Sequence, residues 1–136
     1  MAITDVVAQM NTLNGQTVRV AGYLGDCRGF ECDLFRNPAE KVQQDRLFEE
    51  LRTHRWDQPP PVTPEVPALG IGPSENFAFD QQATPYLNSY VVITGRLTNR
   101  CRDDAGRRGC TDRNTDLQAT GIEHWTPPPS QAGNRS

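Results

Sequence analysis

Four cysteines are the most chemically informative residues of the sequence, and they fall into two local pairs. Cys27 and Cys32 enclose four residues, and Cys101 and Cys110 enclose eight. An even number of cysteines beside predicted turns favours disulfides formed in an oxidising compartment. Two alternatives stay open: reduced structural thiols, and a zinc site, for which a spacing of eight residues is wide.

Arginines surround the same two cysteine pairs. A guanidinium group binds carboxylate or phosphate in planar, bidentate geometry, and a loop fixed by a disulfide would preorganise such contacts. The segment 100–113 holds five arginines and three aspartates, in a chain of net charge −3. The alternative is that these are solvated loop residues, partly neutralised by the aspartates. The candidate ligand-binding residues are Arg28, Phe30, Arg36, Arg100, Arg102, Arg107, Arg108 and Arg113.

Motifs that carry catalysis are missing from the sequence. There is no serine nucleophile elbow, no glycine-rich phosphate loop, no histidine-rich metal motif and no paired-carboxylate pattern. His54 and His124 lie far from the cysteine pairs in sequence, whereas a catalytic cysteine would need a histidine partner. We therefore expect no catalytic residue, no metal site and no cofactor, in a domain that is not an enzyme.

Alternation of apolar and polar residues predicts the strands that must position these groups. The predicted strands cover 16–25, 30–35, 68–72, 87–99 and 116–125, with turn chemistry at 26–29. Thr4 can cap a short N-terminal helix, and Asn37 with Glu40 three residues later forms the start of a second one. The apolar stripe of that second helix consists of Val42, Leu47, Phe48 and Leu51.

The 136 residues suit one domain, predicted over residues 1–125. Residues 36–67 form an insertion that is first helical and then rich in proline, and 126–136 form a tail too poor in apolar residues to fold. No apolar run reaches the roughly 18 residues that a membrane span requires. The start of the chain does not have the pattern of a signal peptide. An exported protein would therefore have lost its leader, and the alternative location is the cytoplasm.

Two segments share one template of apolar, x, apolar, x, Gly, x, Leu: Val18–Leu24 and Val91–Leu97. A glycine within a strand permits the bulge or kink that a small barrel needs. Ser74 can cap a further short helix over 75–83, between the third and fourth strands. With five strands and this helix, the chain resembles the OB fold, an all-β, five-stranded Greek-key barrel. It is similar to small bacterial OB-domain proteins, many of them exported, which implies an extracytoplasmic location. The alternative is a β-sandwich or an open sheet.

The resemblance has consequences for the cysteines and for the ligand. In such a barrel strands one and four are antiparallel, so Cys27 and Cys101 should lie at different ends, and the local pairs Cys27–Cys32 and Cys101–Cys110 are predicted. OB domains bind on the face of strands two and three, between the first and last hairpin loops. Here both loops carry cysteines and arginines.

The sequence therefore predicts a non-catalytic binding domain for an anionic ligand, either an acidic oligosaccharide or protein carboxylates. The alternative is a structural or protein-interaction domain without a small ligand, recognised through a sheet edge or the proline segment 58–67. A single-stranded nucleic acid is a weaker alternative, because a net negative chain repels phosphate.

Overall fold

The alternating residues form five strands that close into a barrel. The structure is a computed structural model that describes residues 1–28, 31–55, 57, 66–72, 78–102 and 115–128. The strands are β1 (Thr17–Arg28), β2 (Glu31–Phe35), β3 (Leu69–Gly72), β4 (Ser89–Leu97) and β5 (Leu117–His124). Their order is β1-β2-β3-β5-β4, with β4 paired back onto β1. The predicted fold class, an OB-like five-stranded barrel, is confirmed, and the sandwich and the open sheet are excluded.

The helices are short and lie around the barrel. They are α1 (Ile3–Ala8), α2 (Met10–Leu13), α3 (Pro38–Arg52) and α4 (Ala78–Ala83), and a 3₁₀ turn follows over Thr84–Tyr86. The N-terminal helix and the helix between β2 and β3 are confirmed. Thr4 as the helix cap is wrong, because α1 begins at Ile3 and its N-cap is Ala2, two residues before Thr4. The backbone of Met1 and Ala2 pairs with β1, and this pairing sets where the helix starts.

One set of inward-facing residues fills the barrel. Residues of α1, α2 and α4, namely Ile3, Val6, Met10 and Phe79, belong to the same buried cluster as the strand residues. Burying large aliphatic side chains supplies most of the favourable free energy of folding. The fully buried aliphatic residues of the strands are Val20, Leu24, Leu34, Leu69, Ile71, Val91, Ile93, Leu97 and Leu117.

The two template glycines have different roles. Gly95 lies where the register of β4 and β5 shifts, and a Cβ there would collide with the carbonyl oxygen of Gln118. Gly22 is not at a bulge: a Cβ at this position would lie 2.8 Å from Leu34 Cγ and 2.7 Å from the carbonyl oxygen of Phe35. The predicted bulge is therefore found at the second glycine, whereas the first permits close packing of β2 on β1.

Helix α3 begins as predicted but packs differently. Asn37 Oδ1 accepts a hydrogen bond from the backbone N–H of Glu40 at 3.0 Å, which caps the helix. Three residues of the apolar stripe are exposed, since Val42, Phe48 and Leu51 are 54%, 46% and 39% exposed. The buried residues of α3 are polar, Glu40 and Gln44, and both lie in its first half. Their hydrogen bonds, rather than apolar burial, hold the helix on the barrel.

Candidate functional site

The first hairpin contains a disulfide. Cys27 and Cys32 are cross-strand partners in β1 and β2, and their sulfurs are bonded. β1 extends to Arg28 and β2 begins at Glu31, so residues 26–28 of the predicted turn belong to β1. This bond confirms the disulfide hypothesis for the first pair and is of the kind that persists in oxidising compartments.

The second cysteine pair lies at the other end of the barrel. β4 runs antiparallel to β1, and the backbone N–H of Leu97 donates to the carbonyl oxygen of Gln16, which precedes β1. Cys101 follows β4 and is therefore distant from Cys27, as expected. Cys101 is disulfide-bonded. Its predicted partner Cys110 lies outside the described residues, so that pairing stays a prediction.

Few of the predicted ligand-binding residues can be located. Arg100 and Arg36 are exposed. The backbone of Arg28 ends β1, but its side chain lies outside the part that the structure describes. The predicted residues Phe30, Arg107, Arg108 and Arg113 also lie outside the described ranges.

A ligand-binding role for Arg102 is contradicted by its position inside the protein. Its side chain is only 4% exposed and forms an ion pair with the fully buried Asp116. Arg102 Nε donates to Asp116 Oδ1 at 2.9 Å, and Nη2 donates to Asp116 Oδ2 at 2.7 Å and to the carbonyl oxygen of Ala68 at 2.8 Å. The backbone N–H of Gly70 also donates to Asp116 Oδ2. Arg102 therefore joins the end of β4 to β3 and β5, and cannot reach a ligand.

The predicted binding face is partly covered by a helix. Asp33 lies on the outer side of β2, between the buried residues Cys32 and Leu34. Gln44 Nε2 of α3 donates to Asp33 Oδ2 at 2.9 Å. Helix α3 therefore lies over the outer side of β2, where OB domains usually bind their ligands.

A pocket lies on the outer side of β1 and β4 instead. Its volume is about 630 Å³, within the range of small-molecule sites. One predicted residue, Arg36, lines it together with two that the sequence analysis did not select, Arg19 and Trp125. The remaining lining residues are Met1, Ala2, Ile3, Thr4, Ala21 and Val92.

Strand register explains how these residues meet. Ala21 of β1 is paired with Val92 of β4, which is paired with Glu123 of β5. The neighbouring row contains Tyr23 and Tyr90, which are paired with each other. The backbone N–H of Trp125 donates a hydrogen bond to the carbonyl oxygen of Tyr90. Small side chains therefore lie between this aromatic row and the row that begins with Arg19, which leaves a hollow on the sheet.

Arg36 is held in place by the start of α3. Its Nε donates to Glu40 Oε2 at 2.8 Å, its Nη2 bonds the same oxygen, and its backbone N–H donates to Glu40 Oε1 at 3.1 Å. These hydrogen bonds, with the negative charge of Glu40, raise the pKa of Arg36 above its ordinary value against the opposing effect of burial. Arg36 therefore stays charged with its guanidinium fixed at the pocket, where nearly half of the side chain is exposed.

Arg19 is held more loosely. It forms an ion pair with Glu123 across β4, and the two side chains are 65% and 58% exposed. Exposed pairs of this kind contribute little to stability, because water solvates both charges in the alternative state. An incoming anion can therefore replace Glu123 as the partner of Arg19.

The aromatic row lies beside the pocket and lines it through Trp125. The rings of Tyr23 and Tyr90 are 5.4 Å apart, and those of Tyr90 and Trp125 are 5.9 Å apart, both in edge-to-face arrangements. The Tyr90 hydroxyl is buried and has no hydrogen-bonding partner among the described residues. Burial raises the pKa of Tyr90, and the charge of Tyr23 adds to the effect. Trp125, the member of the row that lines the pocket, is thus held by its ring contact with Tyr90.

Comparisons with known proteins add no relative. No protein-family model matches the chain, and neither does any curated protein or solved structure. Within the described ranges, no group of three or more histidine, cysteine, aspartate or glutamate residues could hold a metal ion. Among those same residues, no helix has the length and apolar character needed to cross a membrane.

Proposed function

We propose that this domain is a non-catalytic module that binds an anionic ligand through arginine side chains. The observation that carries the proposal is the presence of Arg19 and Arg36 in one pocket beside Trp125. The ligand class is a carboxylate, carried by an acidic oligosaccharide or by another protein, because guanidinium groups bind carboxylates in planar geometry. Arg28 of the first cysteine-bearing loop and Arg100, Arg107, Arg108 and Arg113 of the second stay part of the proposal as separate candidate contacts, because the two cysteine pairs lie at opposite ends of the barrel.

Calorimetric titration of the full chain with trigalacturonate tests the proposal. Affinity should fall with added salt, and Arg36→Gln combined with Glu40→Gln should weaken binding about tenfold, the usual loss for a hydrogen bond to a charged group. Arg52→Gln is the matched control, since Arg52 is a highly exposed residue at the far end of α3. A second variant, Arg107→Gln with Arg108→Gln, tests the loop. Binding unchanged in both arginine variants would overturn the proposal, and so would binding of trigalacturonate and of a simple monocarboxylate that is no tighter than binding of their neutral analogues.

An extracytoplasmic location, periplasmic or secreted, is part of the proposal. The Cys27–Cys32 disulfide supports it, and the resemblance to small exported bacterial OB-domain proteins agrees with it. Alkylation of the protein in intact cells, before and after reduction, tests this location. Cys27 or Cys32 that reacts without reductant would contradict it.

One observation favours a second candidate, a protein-interaction domain without a small ligand. Val42, Phe48 and Leu51 of α3 are exposed apolar side chains, and such residues are enriched at protein interfaces. Sedimentation velocity over a range of concentrations would show whether the partner is a second copy. A monomer at all concentrations, together with arginine-dependent carboxylate binding, would favour the first candidate.

A further inference from the structure

The pocket has room for only one added negative charge. Each of its arginines already has a carboxylate partner, Glu123 for Arg19 and Glu40 for Arg36, so the two pairs sum to zero. The N-terminal ammonium of Met1, which lines the pocket and donates to the carbonyl oxygen of Arg19 at 2.7 Å, leaves a net charge of +1. Glu123 is exposed and easily displaced. Glu40 is only 9% exposed and also binds the backbone of Arg36, so it stays in place. One ligand carboxylate can therefore take the place of Glu123, whereas further charges would meet two carboxylates without a free arginine.

Apart from Thr4 and the N-terminal ammonium of Met1, the rest of the pocket lining is apolar. Ala21 of β1 and Val92 of β4, which are paired with each other, line it together with Trp125. An aromatic side chain contacts flat rings through offset stacking or edge-to-face contacts. This lining therefore complements a flat, apolar ring and offers few partners for the many hydroxyl groups of a sugar chain.

We infer that this pocket binds a small monocarboxylate with a flat apolar ring. Its carboxylate contacts Arg19 and Arg36, and its ring lies on Ala21 and Val92 beside Trp125. This inference rests on the proposed function, from which it keeps the arginine-dependent binding of a carboxylate. It replaces the oligosaccharide by a ligand of single charge, because the charges at the pocket do not balance a polyanion. No covalent step is involved, and the ligand leaves unchanged.

Four probes separate charge from shape in calorimetric titrations of the full chain. They are 2-naphthoate, which has ring and charge; 2-naphthylmethanol, which has only the ring; galacturonate, which has only the charge; and trigalacturonate, a polyanion. Losing either the charge or the ring should weaken binding about tenfold or more. Amide chemical shifts of Ala21 and Val92 should change with 2-naphthoate, which places it in the pocket.

Variants test the individual contacts. Trp125→Ser and Arg19→Gln should each weaken 2-naphthoate binding about fivefold. Glu123→Gln should strengthen it about two- to fivefold, because it frees Arg19. Arg36→Gln alone would leave the buried Glu40 without its partner, so Arg36→Gln with Glu40→Gln is the variant that preserves the fold. Arg52→Gln should change nothing.

The outcomes distinguish this inference from the proposed function. Tighter binding of trigalacturonate than of 2-naphthoate, dependent on Arg36, would overturn the inference and leave the proposed function intact. Equal binding of 2-naphthoate and 2-naphthylmethanol would show an apolar pocket and overturn the inference. Binding of none of the carboxylates would overturn both.

Discussion

Arg102 and Asp116 form a buried, bidentate ion pair that joins the end of β4 to the start of β5. The same carboxylate accepts the backbone N–H of Gly70, and the same guanidinium donates to the carbonyl oxygen of Ala68. The strands β3 and β5 share only two register pairs, Ile71 with Leu117 and Gly72 with Gln118. The ion pair therefore completes the barrel where its strand pairing is shortest.

Removal of one partner of this pair should strongly destabilise the domain. Arg102→Met leaves the Asp116 carboxylate buried without its counter-charge, so we expect the free energy of unfolding to fall by about 3–5 kcal/mol. Urea denaturation followed by Trp fluorescence measures the change. The double variant Arg102→Met with Asp116→Leu should recover part of the loss. A single variant as stable as the parent protein would show that the pair is not closed in solution.

Gly95 should not tolerate a side chain. A Cβ there collides with the backbone of Gln118 and lies 3.0 Å from Ala119 Cα, and neither backbone can move without opening the β4–β5 pairing. Gly95→Ala should cost about 1–3 kcal/mol in thermal or urea unfolding. Gly121→Ala is the matched control on β5, since its Cβ would meet only Thr94 Cβ at 4.0 Å. Equal costs at both positions would refute the packing argument.

The disulfide of the first hairpin should contribute modestly to stability. The bond closes a loop with a sequence separation of only 5, which corresponds to about 2 kcal/mol in the chain-entropy treatment. Cys27→Ala with Cys32→Ala removes this bond alone, whereas a reductant would also act on the bond of Cys101. The urea midpoint should fall by the corresponding amount. A midpoint that does not change would mean that the native hairpin gains nothing from the crosslink.

Truncation of Phe79 in α4 should strongly lower the free energy of unfolding, whereas truncation of Phe48 in α3 should hardly change it. Phe79 of α4 is 1% exposed within the barrel cluster, so Phe79→Ala should cost about 3–5 kcal/mol. Phe48 of α3 is 46% exposed, so Phe48→Ala should change the free energy of unfolding by less than about 0.5 kcal/mol. Differential scanning calorimetry of both variants gives the comparison. A large loss at Phe48 would mean that α3 packs as its apolar stripe predicts.

The cap of α3 gives a smaller, local effect. Asn37→Ala removes the acceptor for the backbone N–H of Glu40 and should cost about 1 kcal/mol. Asn37→Ser keeps an acceptor and is the control. If the cap fixes Arg36 through Glu40, Asn37→Ala should also weaken carboxylate binding. The calorimetric titrations described above measure this effect.

The barrel could be predicted from the sequence because its signal is local. Val18–Leu24 and Val91–Leu97 alternate inward and outward residues around a glycine, and these two segments are in fact paired with each other. The packing of α3 could not be predicted in this way. Its apolar residues follow a helical period, but the contacts that hold the helix come from Asp33 and Arg36, which are polar residues outside it.

Of the residues that line the candidate pocket, only Arg36 was predicted, because the lining residues come from distant segments of the chain. Arg19 is an outward-facing residue of β1, and its alternation with Val18 and Val20 could have placed it outside the barrel. Trp125 lies after β5, and only the register of β4 and β5 brings it beside Val92. Arg102 was predicted to bind a ligand because in sequence it is one of several loop arginines. Its actual partners, Asp116 and Ala68, lie 14 and 34 residues away along the chain.

The ion pair at the base of the last hairpin has a consequence for protein engineering. Arg102 and Asp116 bind each other directly, so the two ends of the segment between them are held together by their side chains. Segments of other lengths and compositions that keep Cys110, the predicted partner of Cys101, should be accepted between these two anchors. The barrel is therefore suited to the display of grafted recognition peptides, because the ion pair separates the inserted segment from the barrel.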